Sequence, residues 1–154
     1  YSSAASDVYK RQDLNTGGAY TVLLLGHAMP EVDPGAFAPN PGADLEAVLL
    51  WSSGADLDLR YNAPGDATVA VRNAANDLCQ DVTGTPVEQL TWEHGSVEPG
   101  HYTITIAYRH NCTAQQGPVT FILALARNGE VIDLIGGSLA REGDLYMTSI
   151  IYPD

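Results

Sequence analysis

Lysine is all but missing from this chain: Lys10 is the only one in 154 residues. Lysine and arginine together number seven against 19 acidic residues, a formal net charge of −12. Such a surface repels phosphate backbones, so no nucleic-acid partner is expected. Long apolar runs are lacking too. None approaches the roughly 18 residues needed to span a bilayer as a helix, so no membrane insertion is expected. No segment keeps a 3.6-residue period over several turns, which argues against amphipathic helices. Cysteine is scarce, with only Cys79 and Cys112, and neither has a partner at metal-ligand spacing, so zinc is not expected.

Catalytic signatures are also absent. Ser52, Ser53, Ser96 and the four histidines supply the letters of a serine triad without a nucleophile elbow. His110-Asn111-Cys112 has no third group to orient or activate it. Carboxylate pairs occur without the aromatic-lined cleft a glycosidase needs. No catalytic residue is assigned, and the chain is read as non-enzymatic.

What remains is β-rich. The chain is one domain's worth of residues, 45% hydrophobic, with 15 glycines and nine prolines. Its apolar runs favour Ile, Val, Thr and Tyr. Residues 1–12 stand apart: Asp7-Val8-Tyr9-Lys10-Arg11-Gln12 is the reading of GAT GTG TAT AAG AGA CAG, a transposase adaptor used in sequencing libraries. They are read as an artefact and left out of the fold argument. Without them five basic and 18 acidic residues remain, a net charge of −13. Residues 13–44 are read as a linker or the tail of a truncated upstream domain, with a strand at Ala19–Leu25 and then a proline-rich arm.

Residues 45–152 carry the regular pattern. Expected strands are Leu45–Trp51, Asp56–Tyr61, Ala67–Arg72, Leu78–Val82, Gln89–Trp92, His101–Tyr108, Val119–Ala126, Val131–Ile135 and Leu145–Tyr152. Leu45–Trp51 is apolar on both faces after Glu46, which suits a central strand. Arg127-Asn128-Gly129-Glu130 is a hairpin turn of type I′. Gly136 and Gly137 are expected to end the return strand, and His110–Pro118 to form a loop. Short strands at about 8–12-residue spacing predict an all-β fold, a two-sheet antiparallel sandwich of about eight strands with a jelly-roll or immunoglobulin-like layout. Leu57, Leu59, Tyr102, Ile104, Ile106, Phe121 and Leu123 belong to the expected core, with Trp51 and Trp92 as anchors rather than a sugar-stacking platform.

The chain is organised around Leu50 to Gly65. Asp56, Asp58 and Arg60 alternate with Leu57, Leu59 and Tyr61, so two carboxylates and a guanidinium share one strand face. Two readings stay open. Arg60 neutralises the acids as an ion pair, or loop carboxylates complete a calcium site, because calcium takes six to eight oxygens. The candidate set is Asp56, Asp58, Asp77, Asp81 and Glu88, with Ca²⁺ the only cofactor considered.

These motifs resemble a known family. Leu50-Trp51, Ala55-Asp56-Leu57-Asp58-Leu59, Cys79-Gln80, Pro86-Val87-Glu88, Leu90-Thr91-Trp92, Pro99-Gly100-His101-Tyr102-Thr103-Ile104, Cys112, Gly117-Pro118-Val119 and Asn128-Gly129 follow the order of the YfaP-like family of uncharacterised bacterial domains. The layout is also similar to bacterial pre-peptidase C-terminal domains. The resemblance covers about residues 45–152 and implies an extracellular, periplasmic or envelope-associated sandwich, one module of a larger exported protein, with no catalytic residues to transfer. Its expected partners are other domains of the same chain, with a glycan or a surface protein as the alternative. Export together with an even cysteine count favours a Cys79–Cys112 disulfide over two free thiols. Binding, spacing or folding support is the expected role. A calcium-stabilised carbohydrate-binding or adhesion module is the first alternative and a small hydrolase the second.

Overall fold

A computed structural model describes residues 39–51, 54–64, 69–72, 79, 87–113 and 117–153. The expected adaptor segment, most of the linker with its Ala19–Leu25 strand, and all of the Leu78–Val82 strand except Cys79 lie outside the described residues. Eight strands are described: β1 (Ala43–Trp51), β2 (Ala55–Asn62), β3 (Val69–Arg72), β4 (Val87–Glu93), β5 (Gly100–Asn111), β6 (Val119–Arg127), β7 (Glu130–Leu139) and β8 (Leu145–Tyr152). They form a five-stranded sheet, β3-β4-β1-β6-β7, and a three-stranded sheet, β2-β5-β8, with every pairing antiparallel. Among the described residues there is no helix, hence none long and apolar enough to cross a membrane.

The two sheets face each other across one core. Leu45, Leu49, Trp51, Leu90, Trp92, Phe121 and Leu123 from the larger sheet meet Leu57, Leu59, Tyr102, Ile104, Ile106 and Ile150 from the smaller. All seven expected core residues are in this cluster. β1 lies between β4 and β6, as its unbroken apolar run requires, and its nine residues are all buried. Its outer-facing Val48 and Leu50 form a second cluster with Ala124. Trp51 anchors the crossing between sheets, because its indole N–H donates to the Ala55 carbonyl at 2.7 Å. Trp92 presents its ring edge-on to Tyr61 and Tyr102, with centroids 5.4 and 5.8 Å away. Both tryptophans are core anchors.

Two expectations are corrected. β5 runs on to Asn111, three residues past the expected end. β7 is not ended by its glycines but continues to Leu139. Gly137 stands opposite Phe121, and a Cβ there would sit 2.5 Å from the Phe121 ring. The glycine makes room for the aromatic ring instead of breaking the strand. The β6–β7 turn is as expected, with φ of 51° at Asn128 and 77° at Gly129.

The entry to β5 carries a recurrent sandwich device. The Tyr102 hydroxyl donates to the Glu98 carbonyl, four residues upstream, at 2.7 Å. A tyrosine that pins its own approach turn in this way is a tyrosine corner. Burial, partly offset by this hydrogen bond, raises the Tyr102 pKa above its ordinary value.

Candidate functional site

Chemistry concentrates where β2 and β5 separate near the disulfide. The pairing puts Asp56 opposite His110 and Leu57 opposite Tyr108, so Arg109 is an extra residue in β5. Such a bulge re-aims side chains. Here Arg109 and His110, although consecutive, are both exposed. Strict alternation in the sequence does not anticipate this.

Arg109 reaches Asp58. Its Nε lies 3.3 Å from Asp58 Oδ2, and Arg60 Nη2 lies 3.0 Å from the same oxygen. The Asp58 side chain is buried whereas both guanidiniums are about half exposed. The sequence left this carboxylate to an ion pair with Arg60 or to a calcium site; the structure buries it and covers it with two arginines, Arg60 among them. Asp58 Oδ1 finds no hydrogen-bond donor among the described residues. Ala107, the small residue opposite Asp58, leaves room for the carboxylate.

The other candidate ligands do not gather around Asp58 within the described residues. Glu88 is buried and accepts from the Leu59 amide of β2. It thereby satisfies a donor on the free side of β2 and ties the two sheets together. Asp56 is half-buried and stands opposite His110. Asp77 and Asp81 lie outside the described residues. Among the described residues no group of three His, Cys, Asp or Glu side chains has the geometry to hold a metal ion. The described part of the acidic set is therefore not a calcium cage by itself.

Cys79 and Cys112 are joined in a disulfide. The bridge ties the segment after β3 to the end of β5, and Cys112 is further held by its amide donating to the Gly54 carbonyl at 3.0 Å. With Cys112 in a disulfide, the His110-Asn111-Cys112 run holds no thiol.

At the end of β5 lies an open pocket of about 360 Å³, lined by Tyr108, Asn111, Gly117, Ala140, Arg141 and Glu142. The turn before β8 shapes it. Asp144 Oδ2 accepts from the amides of Ala140 and Arg141 at 2.9 and 3.1 Å, which closes the turn on itself. Glu142 Oε1 then accepts from the Asn111 amide at 2.7 Å and lies 3.1 Å from His110 Nδ1. Burial, with a smaller effect from the Glu142 charge, raises the Tyr108 pKa, so its phenol stays a hydrogen-bond donor at neutral pH. The lining offers donors and acceptors in a wet hollow and suits a small polar group. The sequence singles out Asn111 only beside His110 and Cys112 and carries no signal for Glu142, because the two meet only through the turn before β8.

A second set of buried acids also escaped the sequence reading. Asp44 bulges out of the β1–β4 pairing, and its carboxylate holds the next turn, 2.7 Å from both His94 Nδ1 and the Gly95 amide. Glu46 accepts from the Asn40 amide at 2.9 Å and from the Gln89 side chain. Both are structural latches at the start of β1. Their signal is an acid embedded in an otherwise apolar strand.

Fold and site together define a disulfide-bridged, two-sheet antiparallel β-sandwich. Comparison of the chain with protein-family models, curated proteins and solved structures gave no match.

Proposed function

We propose that this chain is a non-catalytic module of a larger exported bacterial protein, extracellular or envelope-associated, that serves binding, spacing or folding support. The observation that carries the reading is the Cys79–Cys112 disulfide. Such a bond forms and persists in oxidising compartments and is rare where glutathione keeps thiols reduced. The resemblance to YfaP-like and pre-peptidase C-terminal domains points the same way, as does an acidic surface suited to solubility. The test is to purify the full chain from the periplasm and to map its peptides by mass spectrometry without reduction. The reading expects a linked Cys79–Cys112 peptide pair. Two separately alkylated thiols would contradict it.

A calcium-stabilised adhesion or glycan-binding module is the second reading. The observation favouring it is Asp58 Oδ1, a buried carboxylate oxygen without a donor among the described residues. Against it stand the two guanidiniums on Oδ2, which already supply positive charge. Melting the chain in chelator, in millimolar Mg²⁺ and in millimolar Ca²⁺ at matched ionic strength separates the readings. A calcium site held at 100-fold above its Kd adds about 2.7 kcal/mol and raises Tm by several degrees. An unchanged Tm leaves the arginine pairing as the whole account of Asp58.

A further inference from the structure

The edges of the two sheets are treated unequally. Natural sheets blunt their edges with charge, proline, bulges or very short strands, because an edge offers unpaired N–H and C=O groups to another chain. β3 is four residues long. β7 carries Glu130 and Asp133 and is interrupted by a bulge, since Leu125 pairs with Asp133 but Ala126 with Val131. β2 carries Asp56, Asp58 and Arg60, and Glu88 occupies its Leu59 amide.

β8 has none of these protections. Its sequence, Leu-Tyr-Met-Thr-Ser-Ile-Ile-Tyr, holds no charge, proline or glycine, and its eight-residue register with β5 is unbroken. Among the described strands β5 is its one neighbour. Its outer face exposes Leu145 (57%), Met147 (66%) and Ile151 (61%). These are three of the five large exposed apolar side chains among the described residues. Scattered singly they would mean little, but in a row along an edge with no second neighbour among the described strands they mark a contact surface.

We propose that β8 pairs with β8 of a second copy of this chain, antiparallel about a two-fold axis through Thr148, joining two three-stranded sheets into one of six strands. Three features select a second copy. In a chain of net charge −12, self-association is opposed wherever acids meet, and β8 is an uncharged strand where they do not. Antiparallel pairing about a two-fold is self-complementary and closes the edge, leaving no further site for growth. The register centred on Thr148 sets Leu145 opposite Ile151 of the other copy, in both directions, and Met147 opposite Ser149. Outer-face residues thus meet outer-face residues, and the apolar ones flank the centre. Pro153 follows the strand and ends the pairing.

Sedimentation equilibrium on the full chain, with two variants, tests this. The wild type should be a dimer that dissociates on dilution. Met147→Lys, which puts a charge on the outer face of the edge, should weaken dimerisation about tenfold or more while the melting temperature of the monomer holds. Thr148→Cys should cross-link to a covalent dimer under mild oxidation, because opposed residues of an antiparallel pair have Cα atoms about 4.5–5.5 Å apart, within disulfide reach. The native cysteines are bonded to each other and do not compete. A wild-type chain that stays monomeric at high concentration overturns the proposal. So does a dimer that Met147→Lys leaves intact and Thr148→Cys fails to trap.

Discussion

β1 and β6 of the five-stranded sheet hide both faces, whereas β5, at the centre of the three-stranded sheet, hides mainly one. In β1 and β6, side chains on both sides are buried, Leu50 and Ile122 on the outer side as fully as Leu49 and Leu123 on the inner. In β5 the buried Tyr102, Ile104 and Ile106 alternate with His101, Thr103 and Thr105, which keep contact with water. β1 and β6 are the frame, and the three-stranded sheet carries the arginine-covered acid, one wall of the pocket and an edge, β8, with a single neighbour among the described strands. The sequence already distinguishes these strands. Continuous apolar runs belong to strands buried on both faces, and period-two alternation to strands buried on one.

Substitutions in the frame should have the largest effect on stability. Phe121→Ala removes a buried ring and leaves Gly137 facing a void, so we expect a loss of about 3–5 kcal/mol in chemical denaturation. Leu50→Ala, on the outer side of the frame, should cost about 2–5 kcal/mol, as much as Ile104→Ala in the shared core. Thr103→Ala, on the outer face of the smaller sheet, should stay within about 0.5 kcal/mol. Equal costs for Leu50→Ala and Thr103→Ala would erase the distinction between the sheets.

The disulfide ranks next. It closes a separation of 33 residues, and the chain-entropy model assigns such a loop about 3–4 kcal/mol. Replacing both cysteines by serine should lower stability by about that amount, read as a lower denaturation midpoint with a slope that rises as the unlinked unfolded chain exposes more surface.

The smaller sheet should respond more weakly. Removing Arg60 and Arg109 together strands the Asp58 carboxylate in its buried position. A buried pair broken from one side costs about 3–5 kcal/mol. Because the guanidiniums are half in solvent, about 2 kcal/mol is expected here. Either single replacement by Ala should cost less, since the other arginine stays within 3.3 Å or closer. Double-mutant-cycle denaturation checks this.

The tyrosine corner comes last. Tyr102→Phe loses one hydrogen bond, worth about 1 kcal/mol. It also changes the alkaline limb. The folded-state pKa of Tyr102 is raised, so its contribution is complete below pH 10 and is lost as pH rises through the folded value. Stability measured from pH 9 upward should therefore fall less steeply in Tyr102→Phe than in the wild type.

Much of the fold was legible in the sequence because its signals are local. Leu45–Trp51 announces a central strand, Asn128-Gly129 a tight hairpin, and Leu145–Tyr152 is bounded as the composition suggests. Gly136 and Gly137 misled, since glycine weakens a strand and also admits a large neighbour, and only the pairing with Phe121 decides between these. The cysteine pair was legible from its count and the resemblance, while its geometry was not. The burial of Asp58 was illegible because Arg109 reaches it through a bulge in β5, and a bulge in the partner strand leaves no mark on alternation in β2. The pocket joins the end of β5 to the turn before β8, about 30 positions away, and no spacing rule finds such a meeting.

The buried frame is open to one direct measurement, native-state amide exchange on the full chain, resolved by strand. The account predicts that residues 43–51 and 119–127 exchange slowest, through global unfolding alone. It predicts faster exchange in the edge strands β3 and β7, whose outer amides have no neighbouring strand among the described residues. Exchange in β1 and β6 as fast as in those edges would contradict the claim that these two strands are the buried frame of this domain.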